Sequence, residues 1–256
     1  MRKWMFGLGV LTAAGLISGC AAPPSATTRL ISGYQAYQQG QFMAAENTAR
    51  AFIASDTSGQ NLGEAYYLAA ISEEHQDELA LAARDYHSAI DHSQRADLQG
   101  KSYKALGDIS FIQARFNQAA ADYKNSLTVD PSATPDQRML YRLGVSLENS
   151  GHWNAARQYL DQLIAAFPNS QLSKNALQRL SMNHFSLQFG AWNNAPAAWR
   201  QVAALKAQGV GAFVLPHTLA GHTLFLVQGG VYMTYSAAMA ARSAAAGKAP
   251  QVIVVP

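Results

Sequence analysis

Residues 141–170 read YRLGVSLENSGHWNAARQYLDQLIAAFPNS. Leu143, Gly144 and Leu147, with Leu140 just upstream, recur at three- and four-residue steps, so they share one face of a helix. Asn149-Ser150-Gly151 breaks that pattern, with Gly where a helix commonly ends. Trp153, Ala156, Leu160 and Leu163 make a second helical face, and Pro168 stops it. The stretch is two helices joined by a short turn. Gly144 and Ala156 fit that geometry, because two helices in a hairpin need small residues where their axes come closest.

The unit repeats upstream. Gly33, Ala70, Gly107 and Gly144 are each 37 residues apart. The same step links Phe42, Leu79, Phe116 and Trp153, then Ala45, Ala82, Ala119 and Ala156, then Ala49, Tyr86, Tyr123 and Leu160. Four columns in phase over four copies mark a helical repeat array. The order small residue, aromatic, Ala, aromatic or Leu, then Pro resembles the tetratricopeptide repeat (TPR). The third copy carries it as Leu106-Gly107, Phe116, Ala119, Tyr123 and Pro131. The resemblance implies a TPR-like solenoid over residues 30–183 that binds a protein partner. A further helix, about Ser170 to Met182 with Leu177 and Leu180 in phase, is expected to cap the stack, since an end repeat otherwise exposes an apolar face.

From Phe185 the pattern changes. FSLQFGAW (185–192) alternates like a strand, and NNAPAAWRQVAALKAQG (193–209) reads as a helix capped by Asn194, with Pro196 in its first turn and Gly209 at its end. Two further strands follow, GAFVLPHT (211–218) and HTLFLVQGGVY (222–232). A helix capped by Thr234 or Ser236 and a last strand, PQVIVV (250–255), complete the block. The order is βαββαβ, a small α/β fold of ferredoxin or RNP type with both helices on one sheet face. Leu187, Gly190, Trp192 and Asn194 recur forty residues later as Val227, Gly230, Tyr232 and Thr234. This doubled strand–Gly–aromatic–cap unit resembles the SPOR domain. That family's first strand runs aromatic-x-Val-Gln-Val-Gly-small-aromatic, met here by Phe185 to Trp192, and its third strand is met by Phe225 to Tyr232. Leu226 and Gln228 stand where the family often has a basic residue, and Gly229 where a β-branched one is usual.

The resemblance covers residues 184–256 and implies a ligand, peptidoglycan whose glycan strands have lost their stem peptides. Strand alternation places Leu187, Phe189, Phe225 and Val227 toward the helices. Ser186, Gln188, Gly190, Leu224, Leu226 and Gln228 then share the open face and are the candidate glycan-binding residues. Glutamine suits sugar hydroxyl and acetamide groups, because it offers both donors and acceptors. Trp192 and Tyr232 are expected to close the strand ends as core.

The start of the chain supplies the setting. MRKWMFGLGVLTAAGLISGC (1–20) has two basic residues, a short apolar run and small residues before a cysteine, which is a secretory signal pattern over residues 1–19. The run is shorter than the roughly 20 apolar residues of a spanning helix. Ile17-Ser18-Gly19-Cys20 resembles the bacterial lipobox, which implies cleavage before Cys20 and attachment of diacylglycerol and a further acyl chain such as palmitate. Ala21 in place of Asp after the cysteine favours the periplasmic face of the outer membrane. Residues 20–29 read as a flexible tether. Cys20 is the only cysteine, so no internal disulfide is expected.

Charge divides the chain as the pattern does. All sixteen acidic residues lie at or before Asp161, and six basic residues follow it with no acid. From Cys20 to Asp161, eleven basic residues face sixteen acidic ones. An acid-free terminal block would not repel the lactyl carboxylates of stripped glycan. It also lacks the paired carboxylates of glycan hydrolysis. The seven histidines show no metal-ligand spacing, and no Gly-rich phosphate loop is present. The strands carry no Arg or Lys, unlike an RNA-binding sheet of the same topology. No enzyme activity, cofactor, metal or nucleic acid is expected. The reading is a lipoprotein linking outer membrane, peptidoglycan and a protein partner, in cell division or envelope organisation. The alternative is a scaffold whose terminal domain binds protein in place of glycan.

Overall fold

The computed structural model describes residues 26–256, apart from 56–58, 60, 220 and 250; the signal segment 1–19 and Cys20 lie outside the described residues. Four helical hairpins come first: α1 (Ala26–Gln38) with α2 (Phe42–Ser55), α3 (Leu62–His75) with α4 (Leu79–Asp91), α5 (Ala96–Ile112) with α6 (Phe116–Val129), and α7 (Gln137–Asn149) with α8 (Trp153–Ala166). The second helix of every hairpin begins on the aromatic or leucine column, 37 residues from the last. α1 starts at Ala26, so the end of the expected tether is already helical.

The other columns explain the packing. Ala45, Ala82, Ala119 and Ala156 are completely buried, where the two helices of each hairpin meet. A Cβ on Gly107 would lie 2.7 Å from the Tyr123 ring, and one on Gly144 2.6 Å from Leu160. The glycine column thus makes room for the bulky column of the partner helix. In the second copy Ala70 and Tyr86 pack in one core cluster, so the position accepts one methyl group there. The turns share one geometry. The backbone N–H groups of Gln41, Glu78, Arg115 and His152 each donate to the carbonyl five residues earlier, the long bond of a Schellman motif.

α9 (Gln171–Arg179) caps the stack from Ser170, whose hydroxyl accepts from the Ser173 N–H. Its buried side is Ala176, with Leu172 and Leu180 partly covered against Leu160 and Leu163. Leu177 is 55% exposed, a correction to the expected phase. The helix ends three residues short of the expected limit, and Leu172 takes the inward position.

The terminal block has β1 (Phe185–Trp192), α10 (Ala195–Ala207), β2 (Phe213–Leu219), β3 (His222–Tyr232), α11 (Tyr235–Ala245) and β4 (Ile253–Val255). The sheet order is β2-β3-β1-β4 and every pair is antiparallel. Asn194 and Thr234 cap the two helices by accepting from Ala197 and Ala237. Leu187, Phe189 and Val227 pack with Ala198, Val202 and Leu205 of α10 and Ala245 of α11, so both helices cover one face.

The two parts are packed together. The Trp153 indole donates to the Met233 carbonyl at 3.0 Å and its ring lies 5.2 Å from Phe185. Phe116 meets Tyr235 edge-on at 5.6 Å. Two members of the solenoid's aromatic column, both at hairpin turns, therefore hold the terminal block: Trp153 at the start of β1 and the β3–α11 turn, and Phe116 at the first residue of α11.

Candidate functional site

The uncovered face of the sheet is set by register. Phe213 pairs with Gln228, Gln228 with Gln188, and Gln188 with Ile253, so these four form one row across all four strands. Leu215, Leu226 and Ala191 make the next row, and His217 with Leu224 the one after. Phe213, Leu215 and Ile253 are each between 44% and 49% exposed. The face is apolar at its edges with two glutamines at its centre. Gln228 Nε2 approaches Gln188 Oε1 to only 3.5 Å, the outer limit of a hydrogen bond, so the amides keep capacity for a ligand. No Asp, Glu, Lys or Arg stands in these rows.

Four of the six expected residues lie on this face as read: Gln188, Gln228, Leu224 and Leu226. Gly190 does not. The pairing advances two residues on β1 from Gln188 to Gly190 but one on β3, from Gln228 to Val227. That bulge turns Gly190 to the face of Val227, which is wholly buried under the helices. A Cβ there would press on the Gln201 amide of α10. Ala191 takes the open position instead. The bulge is held by Gln201, which donates to the Phe189 carbonyl at 2.9 Å and accepts from the Trp192 indole at 2.6 Å. Trp192 is accordingly 39% exposed over α10, more open than a core residue. Ser186 keeps the expected side but is only 5% exposed, and its hydroxyl donates to the Gly230 carbonyl at 3.2 Å, so it is floor and not a free ligand group.

Sequence reasoning missed Phe213, Leu215 and Ile253. Phe213-Val214-Leu215 is an unbroken apolar run, so residue type alone did not mark which of them face outward; the pairing with β3 does. Gly229 also gains a reason: a Cβ there would collide with the Gly211 carbonyl, where the α10–β2 loop crosses the helix side of the sheet. The four basic side chains of the block stay off the open face. Arg200 and Lys206 lie on α10, Arg242 donates to the Val252 carbonyl, and Lys248 to that of Gln208.

The solenoid offers a second surface. α1, α3 and α5 line a cleft of about 220 Å³ with Tyr37, Tyr67, Glu74, Lys101 and Lys104 on its walls. Burial pushes the Tyr67 phenol up to about 12, and burial beside Glu74 raises Tyr37. Both stay neutral donors. Tyr86 donates to Glu74 at 2.6 Å, and Lys104 pairs with Asp136 at 2.6 Å. Among the described residues no group of His, Cys, Asp and Glu is placed to hold a metal ion.

The comparisons match both parts. The SPOR domain family model covers residues 181–256, the tetratricopeptide repeat model residues 138–170, and the SHNi-TPR model residues 102–128. Among solved structures, a tetratricopeptide repeat protein from Parabacteroides merdae is similar at 17% identity and a TM-score of 0.50, over 60% of this chain and 58% of that one. The APC/C hetero-tetramer Cut9–Hcn1 aligns at 14% identity and 0.51, over 62% and 30%. PilW, a type IV pilus biogenesis factor, aligns at 18% and 0.50, over 60% and 67%. The chain thus spans well under two thirds of the first two. No curated protein sequence matches it. The protein carries tetratricopeptide repeats followed by a C-terminal SPOR domain, modules of protein binding and of peptidoglycan binding respectively.

Proposed function

We propose that this is a non-catalytic lipoprotein, anchored through Cys20 to the periplasmic face of the outer membrane. Its sheet binds glycan strands stripped of stem peptides, as at division septa, and its solenoid recruits a protein partner. The observation that carries the reading is the row Phe213–Gln228–Gln188–Ile253. Its exposed apolar side chains can meet a sugar ring, and two central amides can serve its hydroxyl and acetamide groups. The absence of carboxylates from the face leaves it open to an acidic polymer.

The experiment is sedimentation of the full chain with purified sacculi, before and after amidase treatment, for the parent and for Gln188→Ala. Treatment should increase binding. Losing one uncharged hydrogen bond, worth about 0.5–1.5 kcal/mol, should weaken it by a few-fold to about tenfold with the fold intact. Leu187→Ala is the control, expected to lower stability by about 2–5 kcal/mol because that side chain is core. The exposed Phe213, Leu215 and Ile253 also suit a protein partner. Failure of the parent to sediment with treated sacculi favours that second reading.

A further inference from the structure

A cleft lies between the two parts. It holds about 650 Å³ and is walled by His152 and Asn154 of the α7–α8 turn, Asn183 and His184 before β1, and Val231 and Met233 at the end of β3. A volume of this size is that of a ligand site. None of those six side chains is an acid, a lysine or an arginine. They offer two imidazoles and two amides, which carry hydrogen-bond donors and acceptors, over exposed apolar surface: Val231 is 68% and Met233 54% exposed. This is the same composition as the open face, amides between apolar side chains.

The cleft also continues that face. Tyr232 pairs with Phe185 and packs toward the helices, so its neighbour Val231 points to the open side, next to Ser186. His184 directly precedes Phe185. From Ala191 back to His184, β1 runs about 23 Å at about 3.3 Å per residue. A polymer lying along β1 and β3 over the glutamine row therefore runs off the sheet into the cleft. The opposite wall there belongs to the solenoid. That wall is fixed in place by the Trp153–Met233 hydrogen bond, by the Trp153–Phe185 contact, and by Gly151, where a Cβ would come within 3.2 Å of the Met233 carbonyl. A site with fixed walls does not spend binding free energy on ordering them.

We infer that the glycan track does not end with the SPOR sheet but passes into the interdomain cleft, where His152 and Asn154 of the last tetratricopeptide hairpin contact sugars of the same strand. The solenoid is thus part of the glycan site as well as a protein-binding module. This rests on the glycan reading of the open face.

The test uses the full chain and amidase-stripped glycan strands sorted by length, with binding followed by change in fluorescence or by calorimetry. The parent should bind long strands more tightly than strands of a few sugars. His152→Ala with Asn154→Ala should leave short-strand affinity unchanged and reduce long-strand affinity by about three- to tenfold for each hydrogen bond lost. Gln188→Ala should weaken both. Short-strand binding doubles as the check that the double variant is folded. Long-strand binding equal to the parent's in that variant overturns the inference, as does parent affinity independent of strand length. If the parent binds no strand at any length, it is the glycan reading itself that falls.

Discussion

Replacing Ala114 with glycine should make the protein more stable. Each hairpin turn places one residue in the left-handed region, and the four are again 37 residues apart: Gly40 at φ 75, Asp77 at φ 63, Ala114 at φ 55 and Gly151 at φ 84. Two of the four are not glycine. For an L-residue that conformation costs about 1–2 kcal/mol, less for Asp, whose short side chain tolerates it. The Ala114 methyl group is exposed, so removing it gives up no core contact. Glycine also loosens the unfolded chain, which returns about 0.4–1 kcal/mol. The net gain is about 0.5–1 kcal/mol, or roughly 1–4 °C in melting temperature for a protein of this size. Urea titration followed by circular dichroism measures it, with the slope compared between variants because repeat arrays can lose two-state behaviour. Gly151→Ala is the opposing control. It adds the same strain and sets a Cβ 3.1 Å from Thr234 Cγ2 and 3.2 Å from the Met233 carbonyl, so it should destabilise by at least as much as Ala114→Gly stabilises. An Ala114→Gly variant that melts at or below the parent would show that the turns are not strained and that the shared geometry has no energetic consequence.

Two further outcomes are expected. Arg50 reaches two buried carboxylates, Glu73 and Asp85, the second of which Arg84 also meets at 3.0 Å, and burial followed by the Asp85 charge pushes Glu73 up to about 7 from 4.5. An acid whose folded value is raised resists ionisation in the fold, so the parent should lose stability as pH rises from about 4.5 to about 7, and Glu73→Gln should flatten that part of the profile; a Gln variant with the parent's slope would refute it. Cys20→Ser should abolish labelling with palmitate and release the protein from the outer-membrane fraction, and a variant that still labels would exclude the lipid anchor.

Much of this protein was legible in its sequence because its elements are local or periodic. The 37-residue columns located every hairpin turn, since one side chain in each copy must pass the same neighbour at the same depth. Asn194 and Thr234 announced their helices, because a cap satisfies orphan N–H groups within three residues of itself. β1 followed from alternation for the same local reason. What alternation could not give was the face of Gly190, because a β-bulge shifts every residue beyond it, and this one is fixed by Gln201, eleven residues away on another element. The phase of α9 was likewise decided from outside, by the Leu160 and Leu163 surface it covers. The row Phe213–Gln228–Gln188–Ile253 and the cleft beside Trp153 exist only through pairing and docking, which bring together residues up to eighty positions apart. The sequence by itself determined two repeat-built modules and the chemistry each carries. Only the tertiary structure decided which side chains share a surface, because register and domain packing depend on contacts between elements that no single segment contains.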